Sequence, residues 1–308
     1  MPQGAAFCRF RIAALPKPAD TLHNVPHSSG ERVPMADKDF QNAIAARYDA
    51  PMYRAMLEVW SDQIHPGLFE NDDDTLYDAS VRATRRLAEL AAIDAGSNVL
   101  ETACGVGGTA RFLAGDLGCT VTATNISRGQ LETASDLTEG KPGADRIGYE
   151  FANFEELPFS DESFDAYWCQ DALLYSIARD SALAEAARVV KPGGAAAISD
   201  LTIVGTPQGE AAELMERITK AGFWSLDQYA AAFETAGFEV TATEDWSHHL
   251  LRSFRLILHD MIDKRDTLAA IAGDEETDTT IARYHQWCAG CETGHLGWGA
   301  VVGRKKKG

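Results

Sequence analysis

Basic residues are scarce in this chain of 308 residues, which carries 28 lysines and arginines against 46 aspartates and glutamates. The formal net charge of −18 argues against nucleic acid or an anionic membrane surface as a partner, because both bind clustered lysine and arginine. No apolar run approaches the roughly 18 residues that a membrane-spanning helix requires. We therefore expect a cytoplasmic protein whose partner is a small molecule.

Cysteine is also sparse, with six residues scattered along the chain. Such spacing in a mid-sized protein favours reduced thiols over a disulfide framework. Cys288 and Cys291 form a single C-x-x-C pair without the second pair that a zinc site needs, so we predict no metal. The hydrophobic content of 45% is ordinary for a folded globular protein.

Strand-like and helix-like patterns alternate after residue 96. The predicted strands cover residues 99–100, 119–124, 147–151, 164–169, 195–199 and 237–243, with a final strand at 301–302. Alternation of this kind predicts an α/β fold with a doubly wound, Rossmann-like sheet of seven strands. We expect the sheet to be mostly parallel, with an antiparallel last strand, and to bind its ligand at the carboxyl ends of the strands.

The flanking regions divide the chain into further segments. Residues 1–34 are expected to be a disordered leader or to precede the true start at Met35, residues 35–75 form a helical lid, and residues 76–245 form the core. Helices and the final strand in residues 246–308 complete the sheet and the substrate pocket. Within that last segment we predict one long helix over 250–268, an acidic loop at 273–278 and a glycine-rich turn at 294–299.

A glycine-rich turn follows the first strand, where Glu101 precedes Ala103, Gly105 and Gly107. The third glycine of the dinucleotide fingerprint G-x-G-x-x-G is missing at its proper spacing, so a single nucleoside with an amino-acid tail fits better. A helix after the turn offers free N–H groups to a carboxylate or phosphate.

Polar residues follow the next strands. Asn125 ends the second strand and can hydrogen-bond sugar hydroxyls, while Asn153 and Phe154 follow the third strand and suit a base. Gln170 and Asp171 end the fourth strand, where the reacting centre is expected. The sequence thus predicts one nucleoside site along one edge of the sheet.

These motifs resemble those of the class I S-adenosylmethionine-dependent methyltransferases over roughly residues 76–245. The matching segments are the first motif at 101–108, the adenine-loop segment at 153–165 and the motif at 188–194. The sequence departs from the pattern at Ala103, where a glycine is usual, and at Asn125, where an acid usually holds the ribose. The resemblance implies S-adenosylmethionine as the cofactor. The cofactor residues that it implies are Glu101, Ala103, Gly105, Gly107, Asn125, Ile126, Gln130, Asn153, Phe154 and Gln170.

Three further segments resemble sarcosine/dimethylglycine N-methyltransferases. They are Tyr53 with residues 60–69, the loop at 168–176, and residues 285–305, which hold a His-x-Trp pair, a glycine-rich stretch and Arg304-Lys305. The departures are Tyr175, where that family has histidine, together with Ser61 and Pro66. The resemblance implies methylation of a small amine on the route to glycine betaine.

The same resemblance implies the substrate residues. They are Tyr53, Trp60, His65, Gln170, Tyr175, His295 and Trp298. Tyr175 and His65 are the expected catalytic groups, since each could help the acceptor amine to lose a proton. The aromatic faces could stabilise a methylammonium product by cation–π attraction.

Two other interpretations stay open at this stage. An O- or C-methyltransferase acting on a natural product would share the cofactor core and differ in its pocket, and a catalytically silent module would keep only the fold. The sequence leaves the oligomeric state open between monomer and dimer.

Overall fold

The computed structural model describes residues 38–218 and 222–307, so the predicted leader at 1–34 lies outside the described residues. The helices are α1 (Lys38–Tyr48), α2 (Pro51–Ala55), α3 (Leu57–Trp60), α4 (Leu76–Leu90), α5 (Gly108–Gly115), α6 (Arg128–Thr138), α7 (Arg179–Val189), α8 (Glu210–Ile218), α9 (Leu226–Ala236), α10 (Ser247–Asp263), α11 (Arg265–Ala272) and α12 (Asp274–Glu292). The strands are β1 (Asn98–Thr102), β2 (Thr120–Asn125), β3 (Ile147–Phe151), β4 (Phe164–Gln170), β5 (Val190–Ile203), β6 (Phe238–Asp245) and β7 (Leu296–Lys305).

The strands form one seven-stranded sheet in the order β3-β2-β1-β4-β5-β7-β6. The pairs from β3 through β5 are parallel, and β7 runs antiparallel to both β5 and β6. The predicted doubly wound sheet with an antiparallel last strand is confirmed. Because β1 lies between β2 and β4, the carboxyl ends of these three strands meet at one edge of the sheet.

Each face of the sheet carries its own hydrophobic core. Successive residues of β4 alternate between the cores, with Trp168 in the first and Tyr167 and Cys169 in the second, as the two-residue period of a strand requires. Helices α4, α5, α10 and α12 contribute to the first core, whereas α7 and α9 contribute to the second. The sheet is therefore covered on both faces, which explains its long apolar strands.

Two predictions for the helices of the last segment need correction. The helix predicted over 250–268 is interrupted at Lys264, so that α10 and α11 are separate helices. The acidic stretch predicted as a loop instead forms the first turn of α12, where carboxylates favour a helix N-terminus. Arg265 pairs there with Asp274 at 3.0 Å and with Asp278 at 2.8 Å.

The turn predicted at 294–299 is correct only at its start, because Gly294 lies in a turn with a φ of 75° whereas Gly297 and Gly299 lie inside β7. A β-carbon on Gly297 would lie 2.7 Å from the hydroxyl of Thr202, and one on Gly299 would overlap the carbonyl oxygen of Glu244. These glycines therefore serve the close packing of β7 against its neighbours rather than a turn.

The predicted N-terminal lid contains three short helices, with Pro51 at the first position of α2. The indole nitrogen of Trp60, at the end of α3, donates to the hydroxyl of Tyr284 on α12 at 3.1 Å. Helices α3 and α12 thus meet over the carboxyl edge of the sheet. None of the described helices is long and apolar enough to cross a membrane.

Gly299 provides a direct test of the packing between β7 and β6. We predict that Gly299→Ala lowers the free energy of unfolding by about 1–3 kcal/mol, because the added methyl must displace the backbone of β6. Gly148→Ala in the edge strand β3 is the matched control, since no atom lies within 4 Å of its added β-carbon. Urea unfolding measures both, and equal stabilities of the two variants would contradict the packing role of Gly299.

Candidate active site

A cavity opens at the carboxyl ends of β1, β2 and β4, between the sheet edge and the helices α1–α3, α10 and α12. All but two of the predicted cofactor residues line it. They are Ala103, Gly105, Asn125, Ile126, Gln130, Asn153, Phe154 and Gln170. The fold therefore brings together residues that the sequence predicted for one site, and these residues define one half of the cavity.

The structure places Glu101 and Gly107 outside the cavity wall. Glu101 is buried near the end of β1, where burial raises the pKa of its carboxyl to about 8 and leaves Oε2 without a hydrogen-bond partner among the described residues. Gly107 has a φ of 77° and precedes α5, and a β-carbon there would overlap the hydroxyl of Tyr149. Both residues therefore support the shape of the turn without lining the cavity.

The turn itself exposes its backbone to the cavity. Ala103 and Gly105 adopt left-handed conformations with φ of 54° and 56°. No heavy atom lies within 4 Å of the β-carbon position of Gly105, which leaves room for a ligand against the chain. Ala103 takes this conformation with a side chain, which costs about 1 kcal/mol relative to glycine.

Asn125 is held in one orientation beside the turn. Its Nδ2 donates to Gln130 Oε1 at 2.9 Å, and its Oδ1 accepts from the backbone N–H of Ser127 at 3.0 Å. Across the cavity, Asn153 Oδ1 accepts from the N–H of Glu155 at 3.0 Å, which leaves Phe154 in the cavity wall. Polar amides and an aromatic face so placed suit a ribose and a base.

Gln170 lies where this half of the cavity meets the other. Its Oε1 accepts hydrogen bonds from Thr109 Oγ1 at 3.1 Å, Trp168 Nε1 at 3.3 Å and Thr84 Oγ1 at 3.4 Å. Three donors on one oxygen assign the amide orientation and direct Nε2 elsewhere. That nitrogen is buried without a partner among the described residues, so it is available to a ligand.

Asp171 lines the cavity next to Gln170, at the strand end where the sequence predicted the reacting centre, although it was not among the predicted catalytic or substrate residues. Trp298 Nε1 donates to its Oδ1 at 2.8 Å, while Oδ2 is buried without a described partner. Burial and the nearby Asp200 raise the pKa of the Asp171 carboxyl to about 8. The carboxyl therefore changes charge close to neutral pH, and a cation in the cavity would favour its ionised form.

Aromatic rings form the wall opposite the strand ends. Of the predicted substrate residues, Tyr53, Trp60 and Tyr175 lie there, and Tyr48 joins them. The ring of Tyr48 lies 4.4 Å from that of Tyr53 and 5.8 Å from that of Tyr175, measured between centroids, and its hydroxyl hydrogen-bonds to Tyr175.

Burial makes both predicted catalytic groups weak proton acceptors at neutral pH. Burial raises the pKa of the Tyr175 hydroxyl to about 12 and lowers that of the His65 imidazole to about 4. His65 Nδ1 lies 3.0 Å from the carbonyl oxygen of Pro66, and Nε2 lies 3.1 Å from Gln63 Oε1 and 3.2 Å from Thr84 Oγ1. His65 lines the cavity, and protein groups contact both ring nitrogens, so its role in proton transfer stays a prediction.

The structure separates His295 and Trp298 from the cavity. His295 is half-buried immediately before β7, and its Nδ1 lies 2.8 Å from the carbonyl oxygen of Val204. Trp298 is fully buried on β7 and packs against Trp246 at 4.9 Å between ring centroids. Trp298 still bears on the site, because its indole N–H orients Asp171.

Several cavity residues were not predicted. They belong to α1, α10 and α12 and include Arg47, Tyr48, Phe254, Thr280, Arg283, Tyr284 and Trp287. The helical period at 281–288 predicted a helix there, but a period alone does not tell which face meets a cavity. Thr280 Oγ1 and Trp287 Nε1 are buried without described partners, and each such atom costs roughly 1–3 kcal/mol unless a ligand or water satisfies it.

Comparison with known proteins agrees with this geometry. Residues 100–198 match a family described as a methyltransferase domain. The chain is 30% identical over 246 residues to a sarcosine/dimethylglycine N-methyltransferase from Aphanothece halophytica, covering 79% of this chain and 89% of that protein. It is 31% identical over 274 residues to the 27-O-demethylrifamycin SV methyltransferase of Amycolatopsis mediterranei, covering 87% and 98%. A crystal structure of a candidate sarcosine dimethylglycine methyltransferase from Galdieria sulphuraria superposes with a TM-score of 0.77 at 27% identity, covering 84% and 98%.

The chain therefore belongs to the class I S-adenosylmethionine-dependent methyltransferases. The cavity fits this cofactor, since the open backbone at Gly105, the paired amides of Asn125 and Gln130 and the ring of Phe154 suit its amino-acid, ribose and adenine parts in turn. When bound, S-adenosylmethionine supplies an electrophilic methyl group on a sulfonium.

Asn125 occupies a position at which a carboxylate would bind the ribose more strongly than the amide does. We predict that Asn125→Asp binds S-adenosylhomocysteine several-fold more tightly, because a carboxylate accepts two charge-assisted hydrogen bonds from a diol. Asn125→Ala should bind it about 5–30-fold more weakly, which corresponds to about 1–2 kcal/mol. Isothermal titration calorimetry measures both. Equal affinities for the three proteins would show that residue 125 does not contact the cofactor.

Proposed function

We propose that the protein N-methylates a small amine of the sarcosine and dimethylglycine type, towards glycine betaine. In this proposal the paired amides, Phe154 and the glycine turn hold the cofactor, while the aromatic wall holds the acceptor. Gln170 lies between the two, and its unpartnered Nε2 supports a contact with either ligand.

The aromatic wall carries the proposal. Tyr48, Tyr53, Trp60 and Tyr175 present rings to the half of the cavity that lies beyond the cofactor residues. A cation over such a ring gains about 0.5–2 kcal/mol, and successive methylation of an amine ends in a permanent cation. A wall of this kind stabilises positive charge as it develops on the acceptor nitrogen.

Asp171 is the group that we propose to take the proton of the amine. A small amine is protonated in neutral solution and must lose that proton before its lone pair can attack a methyl carbon. Asp171 lines the cavity, its Oδ2 is buried, and its carboxyl lies beside the hydroxyl of Ser199 while Trp298 donates to Oδ1. Tyr175 then orients the acceptor as a hydrogen-bonding phenol rather than as a base.

Methylation of an oxygen on a larger natural product is the second candidate. The Amycolatopsis mediterranei relative acts on a demethylrifamycin, and Ile44, Met52, Met56 and Leu174 make part of the cavity wall apolar. A phenol acceptor needs a base as well, and Asp171 would have to supply it.

We further propose a cytoplasmic location. The five cysteines within the described part of the chain are all free, which agrees with a reducing compartment.

A methyl-transfer assay tests the function directly. We predict that label from S-adenosylmethionine reaches sarcosine and dimethylglycine, and that kcat/KM for them rises between pH 7 and pH 9. The rise follows because the amine offers its lone pair only once it is deprotonated, and because Asp171, with a pKa of about 8, accepts a proton only in its ionised form. Glycine and simple phenols serve as comparison acceptors under the same conditions. Transfer to phenols alone would overturn the proposed amine specificity.

A further inference from the structure

Helix α12 turns one face to the cavity. Thr280, Arg283, Tyr284 and Trp287 all line it, and their spacing of three, four and seven residues places them on one side of the helix. This face lies across the cavity from the glycine turn and belongs to a region that the cofactor motifs do not include.

Two polar atoms on this face have no hydrogen-bond partner among the described residues. Thr280 is only 3% exposed, and its Oγ1 is unpartnered, as is the buried Nε1 of Trp287. The indole N–H can only donate, and a threonine hydroxyl can also donate. The chemical group that satisfies both atoms must therefore accept hydrogen bonds, which excludes an ammonium group at this point.

Arg283 adds a positive charge to the same face. None of the ion pairs among the described residues includes Arg283. The guanidinium of Arg47, by contrast, lies over the ring of Tyr53 and hydrogen-bonds to its hydroxyl. A guanidinium that lines the same cavity as two neutral donors matches an acceptor-only anion, and a carboxylate fits the planar fork of arginine.

Packing holds this face in place without using its donors. The ring of Trp287 meets that of Phe254 at 5.0 Å between centroids, and the hydroxyl of Tyr284 accepts from Trp60. The structural roles of these side chains thus leave the N–H of Trp287 and the hydroxyl of Thr280 unexplained.

We propose that Thr280, Arg283 and Trp287 form a carboxylate subsite that fixes the acid end of the acceptor. The inference rests on the proposed function for the choice of an amino acid as acceptor. It orients that acceptor with its carboxylate on α12 and its nitrogen towards Gln170 and Asp171. Amines that lack a carboxylate would lose this anchor.

The test compares Thr280→Val and Arg283→Gln with the wild type. Thr280→Val keeps the shape of the side chain and breaks no hydrogen bond described in the structure, so a purely structural residue would show no change. We expect KM for dimethylglycine to rise at least fivefold in Thr280→Val and at least tenfold in Arg283→Gln, with kcat within threefold and the affinity for S-adenosylhomocysteine unchanged. Thr279→Val, at an exposed position of the same helix, is the matched control and should behave as the wild type.

Calorimetry with dimethylglycine on the protein saturated with S-adenosylhomocysteine separates the two proposals. Binding that the wild type shows and both variants lose supports the subsite even if no methyl group is transferred, and in that case only the proposed function fails. Unchanged binding and KM in both variants, or no binding to the wild type, overturns the subsite. An equal loss of activity by both variants towards N,N-dimethylethanolamine, which has no carboxylate, would also overturn it.

Discussion

Three hydrogen bonds to Gln170 Oε1 connect two helices and a strand at the active site. The donors come from Thr84 on α4, Thr109 on α5 and Trp168 on β4. Because all three use the same oxygen, the amide cannot rotate without losing them, and its Nε2 stays directed away from the protein core. The cofactor half and the acceptor half of the cavity meet at this fixed nitrogen.

A second constraint continues from the same strand end. Asp171 follows Gln170 in a left-handed conformation with a φ of 54°, and the indole of Trp298 on β7 holds one carboxyl oxygen. The antiparallel strand that completes the sheet therefore reaches the site through a hydrogen bond rather than through the cavity wall. Burial of this carboxyl beside Asp200 raises its pKa towards neutrality, which is the range in which it can exchange protons with an amine.

The cofactor half could be predicted from the sequence because its residues follow directly on strand ends. Gly105, Asn125 and Phe154 occupy short motifs whose positions the parallel sheet determines. The acceptor half could not be predicted in the same way. Trp298 belongs to a recognisable motif, yet only the register of β7 shows that its ring points into the core.

The position of helix α12 in the site also could not be predicted from the sequence. The period of this segment predicts a helix, but the acidic residues at its start predict a loop, and their helical turn pairs with Arg265 through Asp274 and Asp278. Which side of that helix faces the cavity depends on packing between Phe254 and Trp287, which are far apart in the chain. Local sequence patterns do not predict contacts of this kind. These contacts form the part of the site that distinguishes one acceptor from another.

The most direct test of the site is a crystal structure of the complex with S-adenosylhomocysteine. We predict that the ribose lies against Asn125 and Gln130, the adenine against Phe154, and the sulfur on the side of Gln170 and the aromatic wall. Density for the ligand in the separate open cleft lined by Arg82 and Arg111, or a reversed orientation with the adenine against the tyrosines, would contradict this arrangement.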